Sequence, residues 1–302
     1  MHFSHQLYGR NTREAAMLRI PLRYLLKHPA TGVADLVADP IETWITIREA
    51  YVEQREERRP QCPYEPDLTW ERQLHEALSI PWPCDESQEF LEVWQQVIGE
   101  LEAKGIRAGP ESFQWWNDGD AGLVRAIWCL TRHLKPQNVV ETGVAHGVTS
   151  RFILEALKRN GGGHLWSIDL PPLERSWRQE IGAAVGHDHS DRWTYIKGSS
   201  RRRLPGLLDS LGQIDLFIHD SLHSERNVRF ELDRAWPTLG PKGALVVDDV
   251  DANWGFWSFT QSVPHQISLT CTAEPLRPDP RRFNKKGLFG IILKTTIATA
   301  VT

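Results

Sequence analysis

The stretch Val139-Val140-Glu141-Thr142-Gly143-Val144-Ala145-His146-Gly147-Val148-Thr149-Ser150 constrains the fold more than any other part of the chain. Its β-branched start reads as the end of a buried strand. The residues after it, 151–158, place Phe152, Ile153, Ala156 and Leu157 at helical spacing. Between strand and helix, Gly143 and Gly147 let the backbone turn tightly and let a ligand approach an exposed helix N-terminus. The next strand, Leu165-Trp166-Ser167-Ile168-Asp169, ends on a second carboxylate about twenty residues further on, where a doubly wound sheet places its ribose-binding acid. Together these features describe a nucleoside pocket.

The glycine spacing separates two families that build such a pocket. A dinucleotide site uses G-x-G-x-x-G, with the pyrophosphate resting on the helix. Here the pattern is Glu141-x-Gly143-x-x-x-Gly147, which resembles the first signature of the class I S-adenosylmethionine-dependent methyltransferases. In that family the loop wraps the amino-acid end of the cofactor and needs no diphosphate. Two other classes stay open on this stretch: a nicotinamide-dependent oxidoreductase on a Rossmann-type domain, and a non-catalytic binding module of the same fold.

From Asn117 onward strands and helices alternate. A helix over 122–134 precedes a strand at 138–142, the glycine loop with its helix, and the strand ending at Asp169. Further strands are predicted at 193–197, 214–219 and 243–247, with a helix bearing Val228, Leu232 and Ala235 before the last of these. That order implies a parallel sheet covered on both faces. The end of the chain differs, because 266–272 and 287–294 read as two strands joined by a proline- and arginine-rich loop. This resembles the antiparallel pair that closes a class I methyltransferase sheet. The expected fold is therefore α/β and Rossmann-like, mostly parallel, with a helical N-terminal extension.

Residues 1–112 are read as that extension and 113–302 as the catalytic domain. Asp39-Pro40 reads as a cap and first-turn proline, after which Ile41, Trp44, Ile45, Arg48, Tyr51 and Val52 give one apolar face. The run Glu53 to Arg59 is its solvated end, and Pro60 to Pro66 a linker. A further helix starts near Asp85 and carries Phe90, Leu91, Trp94, Val97, Ile98 and Leu101 before Gly105 stops it. The region is expected to cap the substrate side or to join copies of the chain.

Composition narrows the partners. A net charge of −4 gives no electrostatic reason to expect nucleic acid, and no stretch approaches the roughly twenty apolar residues of a membrane span. The start of the chain lacks the basic segment and apolar run of an export signal. Cys62, Cys84, Cys129 and Cys271 form no C-x-x-C pair, so their spacing suggests neither a zinc site nor a disulfide framework. They read as reduced thiols in a soluble, cytoplasmic protein with a small-molecule partner. Of the thirteen tryptophans, Trp115, Trp116, Trp254 and Trp257 either wall a ligand cavity or pack ordinarily.

His219-Asp220-Ser221-Leu222-His223 follows the fourth strand and Asp248-Asp249 the fifth. Ligands bind at the carboxyl ends of strands in an open α/β sheet, so Asp220, Asp248 and Asp249 are expected to converge. Three carboxylates in one cleft repel unless a cation compensates them, and all-oxygen ligation suits Mg²⁺ first. Asp248 and Asp249 can share an ion only where the strand has ended, because neighbours on a strand point to opposite faces. His223, three residues past Asp220, has the near-neutral titration suited to taking a proton from a hydroxyl.

Asp220-x-x-His223 followed by Asp248-Asp249 resembles the metal-dependent small-molecule O-methyltransferases, above all the sugar methyltransferases of bacterial natural-product pathways. The resemblance implies Asp220, Asp248 and Asp249 as metal ligands and His223 as base. It also implies that Glu141, Gly143 and Gly147 hold the methionine part of the cofactor with Ala145, Ser150 and Asp220 beside it, Asp169 the ribose and Ser199 the adenine edge. The acceptor is then a hydroxylated small molecule. Many relatives have glycine where Ala145 stands and an acid where Leu222 stands. His146 either touches cofactor or faces solvent, residues 187–191 read as a mobile polar loop, and Arg201-Arg202-Arg203 as a solvated helix start that an acidic group could meet.

Overall fold

The computed structural model describes residues 29–56, 62–105, 120–170, 177–274 and 287–295. The expected boundary at 112/113, Trp115, Trp116 and the loop between the last two strands lie outside the described residues. Among the described residues, four helices come first: α1 (Pro29–Ala38), α2 (Pro40–Glu56), α3 (Trp70–Leu78) and α4 (Glu86–Ala103). The sheet region runs α5 (Ala121–Leu134), β1 (Asn138–Thr142), α6 (Val148–Asn160), β2 (His164–Asp169), β3 (Trp193–Lys197) and α7 (Ser200–Leu211). It continues with β4 (Ile214–His219), α8 (Glu225–Thr238), β5 (Leu239–Val247), α9 (Gly255–Ser262), β6 (Ile267–Thr272) and β7 (Leu288–Leu293).

The strands form one seven-stranded sheet in the order β3-β2-β1-β4-β5-β7-β6. β1 to β5 run parallel, and β7 lies antiparallel to both β5 and β6. This is the mostly parallel sheet closed by an antiparallel pair that the sequence pattern implies. Strand alternation feeds two cores. Val139, Leu216, Ile218, Ala244 and Val246 face α3, α5 and α6, while Val140, Phe217, Leu245 and Val247 face α7, α8 and α9. β5 starts earlier than its apolar run. Leu239 pairs Ile214, then the register shifts so that Leu216 meets Ala244, and the chain passes from α8 into the strand without a loop.

The N-terminal helices join the sheet by two different kinds of contact. α4 buries Phe90, Val97 and Leu101, as its spacing predicts, and Val93 besides, against Trp128 of α5 and Phe152 of α6, although Leu91 stays exposed. α3, too short to stand out from its proline-rich surroundings, buries Trp70 edge-on to Phe289 at 5.3 Å. α2 meets the sheet through its polar side. Asp39 caps it, its Oδ1 accepting the Glu42 N–H at 3.0 Å, but Ile41, Trp44 and Tyr51 are exposed.

What α2 turns inward is a row of acids seven residues apart. Glu42 accepts the Ser199 N–H and pairs with Arg202 at 2.8 Å. Glu49, 4% exposed, pairs with Arg201 at 3.2 Å, and Glu56 accepts the Glu225 N–H at 2.6 Å. These contacts place carboxylates at the positive N-terminal ends of α7 and α8. The acid that meets the triple arginine is therefore the chain's own. Glu56 is not a solvated end, since it reaches α8.

Phe152 touches Phe90, Trp94 and Trp128, with ring centroids 5.1, 5.5 and 6.2 Å away. Phe152→Ala is expected to lower stability by about 3–5 kcal/mol. Urea denaturation followed by tryptophan fluorescence measures it.

Candidate active site

The site forms where the strand order reverses, between β1 and β4. The Asp220 N–H donates to the Thr142 carbonyl at 2.9 Å, and the Asp248 N–H to that of His219 at 2.9 Å. The ends of β1, β4 and β5 are thus tied side by side. Gly143 sits at φ 89°, and a Cβ there would lie 1.9 Å from the Asp220 carbonyl oxygen. Close approach of the chain's own backbone therefore requires this glycine. Gly147, at φ 80°, caps α6. Ala145 holds φ 47°, so the left-handed turn is kept without glycine, at a cost of about 1 kcal/mol.

One side of the loop is covered. The Gly182 N–H donates to the Ala145 carbonyl at 2.9 Å and the Ala184 N–H to that of His146 at 2.8 Å. His146 is fully buried with Nε2 2.9 Å from Glu180 Oε2, so it does not face solvent. Residues 187–191 are also not a mobile loop throughout, because His189 is buried with Nε2 3.1 Å from Glu155 Oε1.

Glu141 has no exposed surface, and its Oε2 accepts hydrogen bonds from Ser150 at 2.6 Å and Ser167 at 2.7 Å. Burial pushes its carboxyl up to about 7 even though the two hydroxyls oppose the shift. Asp169 is likewise pushed up to about 7, by burial and by the Glu141 carboxylate, against N–H donors at Val144, Leu170 and Ala145. The structure thus brings Glu141, Ser150, Asp169 and the glycine loop together. Ser199 is placed differently. It lies beneath α2 with its N–H held by Glu42, and its hydroxyl has no hydrogen-bond partner among the described residues.

Beyond β4 and β5, one donor atom each from Asp220, His223 and Asp248 lies within 4.8 Å of the others. His223 Nε2 is 3.9 Å from Asp220 Oδ1. β5 ends at Val247, as shared ligation would require, yet Asp249 does not join the cluster. Its φ of 48° bends the chain directly after Asp248. The expected triad of acids is, in the structure, two acids and the histidine.

A buried carboxylate that sequence reasoning passed over holds the loop between β4 and α8. Glu231 accepts from Thr142 Oγ1 at 2.5 Å, His219 Nδ1 at 2.6 Å, Ser221 Oγ at 2.8 Å and Asn227 Nδ2 at 2.8 Å. Burial alone would raise its pKa, but His219 and the hydroxyl donors outweigh that and bring it down to about 2. Asn253 Nδ2 donates to the His223 carbonyl at 2.8 Å. A signal for Glu231 existed, because Asn227 and Glu231 share the helical face of Val228, Leu232 and Ala235.

The comparison with known families agrees with this geometry. Residues 140–250, from β1 to just past the acid pair, match the family model described as a methyltransferase domain. This segment is similar to a methyltransferase domain. None of the curated proteins matches the chain. Among solved structures, the chain is similar to a putative O-methyltransferase from Klebsiella pneumoniae at 15% identity, covering 76% of this chain and 97% of that one with a TM-score of 0.46. It is also similar to the O-methyltransferase from Bacillus cereus in complex with SAH, at 13% identity, 75% and 99% coverage and a TM-score of 0.45. A third is the O-methyltransferase TomG from Streptomyces achromogenes, involved in tomaymycin synthesis, in complex with SAM, at 13% identity, 82% and 96% coverage and a TM-score of 0.43. No described helix is long and apolar enough to cross a membrane.

Within residues 140–250, Glu231→Gln replaces an acceptor of four hydrogen bonds by a neutral amide. Removing one member of such a buried pair is expected to cost about 3–5 kcal/mol at neutral pH. Because the folded pKa is depressed, this contribution is present above the ordinary carboxylate range and is lost as pH falls toward about 2. Denaturation curves of both proteins, taken stepwise from neutral pH into acid, should converge.

Proposed function

We propose that the chain is an S-adenosylmethionine-dependent O-methyltransferase that acts on a hydroxyl of a small molecule with the help of a divalent ion, Mg²⁺ first. The observation that carries this reading is the cluster of Asp220, His223 and Asp248 within 4.8 Å, at the strand ends beside the glycine loop of a methyltransferase domain. Two carboxylates and an imidazole fit a divalent cation, with the carboxylates as the hard-ion ligands. Asp220 and Asp248 would hold it, and Asp249 would join only after its side chain turns toward the cluster.

When bound, the donor supplies an electrophilic sulfonium methyl and the ion supplies positive charge that lowers the pKa of a nearby hydroxyl. His223 accepts the acceptor's hydroxyl proton on a ring nitrogen, which contributes roughly a hundred- to ten-thousand-fold. Asp220, 3.9 Å from His223 Nε2, stabilises the resulting imidazolium. Asn253 fixes the backbone that carries the histidine. The chain's remaining work is placement of donor and acceptor.

For the donor, Glu141 and Ser150 take the methionine end, with Gly143, Ala145 and Gly147 shaping the loop around it. Glu141 Oε1 is buried and has no hydrogen-bond partner among the described residues, which suits an N–H donor from the ligand. Asp169 takes the ribose, and the Ser199 hydroxyl takes the adenine edge. The acceptor class is a sugar or a glycosylated natural product, to which the same charge logic applies as to a phenol. The exposed Val37, Ile41, Trp44 and Tyr51 on α1 and α2 support a contact between copies of the chain, and the four free thiols support a reducing, cytoplasmic setting.

His223→Ala should lower turnover roughly a hundred- to ten-thousand-fold with S-adenosylhomocysteine affinity unchanged by calorimetry, whereas Asp169→Ala should weaken that affinity. Asp220→Asn and Asp248→Asn should each abolish stimulation by Mg²⁺. Absence of S-adenosylhomocysteine as product across a panel of sugars and phenols, with or without Mg²⁺, together with NADH binding in its place, would overturn the proposal.

A further inference from the structure

A second cluster of donor atoms lies away from the strand ends, among the N-terminal helices and α5. His75 is in the last turn of α3, Cys84 precedes α4, and His133 is in the last turn of α5. One donor atom from each lies within 4.8 Å of the others. Cys129 stands four residues before His133, on the same face of α5. Cys84 Sγ lies against His75 Nε2 and Ser87 Oγ, and its thiol interacts electrostatically with that of Cys129. Scattered in the sequence without a C-x-x-C pair, one thiol and two imidazoles come together in space, with the Cys129 thiol next to Cys84 but outside that spread.

The details resemble a coordination shell. His75 Nε2 lies 3.0 Å from Cys84 Sγ, while its Nδ1 lies 2.7 Å from the Glu71 carbonyl. A carbonyl can only accept, so Nδ1 carries the proton and Nε2 turns its lone pair toward the sulfur. A histidine oriented through its far nitrogen by a backbone carbonyl is the usual arrangement in metal sites. The His133 side chain is 8% exposed, and its Nε2 has no hydrogen-bond partner among the described residues, since Glu86 Oε2 stands off at 4.0 Å. Ser87 Oγ, 3.3 Å from Cys84 Sγ, can donate to a thiolate there.

We propose that His75, Cys84 and His133, with Cys129 in the fourth position, bind a structural zinc ion that fastens α3 and the start of α4 to α5. Two sulfurs and two imidazole nitrogens are a donor set for tetrahedral zinc. With Zn–N near 2.0–2.1 Å and Zn–S near 2.3 Å, donors around such an ion sit about 3.5 Å apart, within the spread that the three side chains already have. Zinc here replaces the Cys84 and Cys129 thiol protons, and no redox step is involved. The site is distinct from Asp220, His223 and Asp248, which offer no sulfur.

The test uses the untagged full-length chain, purified under reducing conditions from zinc-supplemented cells. Elemental analysis should find one zinc per chain, and exchange for Co²⁺ should give a thiolate-to-cobalt charge-transfer band with tetrahedral ligand-field bands. Cys84→Ser should lose both metal and band, Cys129→Ser should weaken the band, and Cys62→Ser and Asp220→Asn should leave it unchanged. The wild-type cobalt spectrum decides the matter even where Cys84→Ser fails to fold. Absence of the charge-transfer band in the wild type, its survival in Cys84→Ser, or a Cys84–Cys129 disulfide in fresh protein would each overturn the proposal.

Discussion

The buried carboxylate of Glu231 is the interaction on which the site's geometry depends. It has no exposed surface, yet its partners come from four places: Thr142 at the end of β1, His219 at the end of β4, Ser221 in the loop after β4, and Asn227 one turn back on α8. A charge so far from water survives only when its lone pairs are filled. Each donor that fills them also fixes a piece of backbone. Asp220 and His223 lie in the segment pinned between His219 and Asn227, so their separation is set by a residue that itself stands outside the acid cluster. Asn253 adds a tie from beyond Asp248, through the His223 carbonyl.

Two buried carboxylates and a half-buried one show how donors, more than burial, decide charge. Glu231 gains an imidazole and hydroxyl donors and falls to about 2. Glu141 has two hydroxyl donors and no cation, and rises to about 7. Asp169, next to Glu141, rises likewise. Near neutral pH, then, the loop side of the strand ends carries carboxyls poised between neutral and ionised, while the α8 side carries a fixed negative charge. Raised folded pKa values mean that these two acids favour the fold most at low pH, with the benefit declining as pH rises through the window between their ordinary range and about 7.

Much of the sheet was legible because its strands are apolar runs ended by polar residues. β1, β3 and β4 fall on the predicted residues, and β6 and β7 come within one residue at each end. What failed was orientation and spatial neighbourhood. α2 was found together with its apolar stripe, but spacing alone does not say which side of a helix meets the sheet. Here Glu42, Glu49 and Glu56 win the inward face by meeting arginines and helix N-termini. In the same way the glycine at 143 was legible, whereas its cause, the Asp220 carbonyl, was not. His75, Cys84, Cys129 and His133 were invisible as a group because linear spacing carries no information about which helices pack.

The two N-terminal contacts differ in kind, and this bears on how the helices and the sheet share stability. α4 is held by aromatic packing, in which Phe90, Trp94, Trp128 and Phe152 form a continuous cluster, and such contacts are insensitive to salt. α2 is held largely by ion pairs and capping carboxylates, of which the Arg202 contacts are partly exposed and weakened by screening. Glu49 is the exception, since it is nearly inaccessible and faces two arginines. Loss of α2 would therefore begin at its exposed end, near Asp39 and Glu42, and would release the Ser199 N–H before it disturbed the core. The end of β3 is thus covered by a contact that salt weakens, while the Glu231 network ties the loop of the acid cluster through buried bonds.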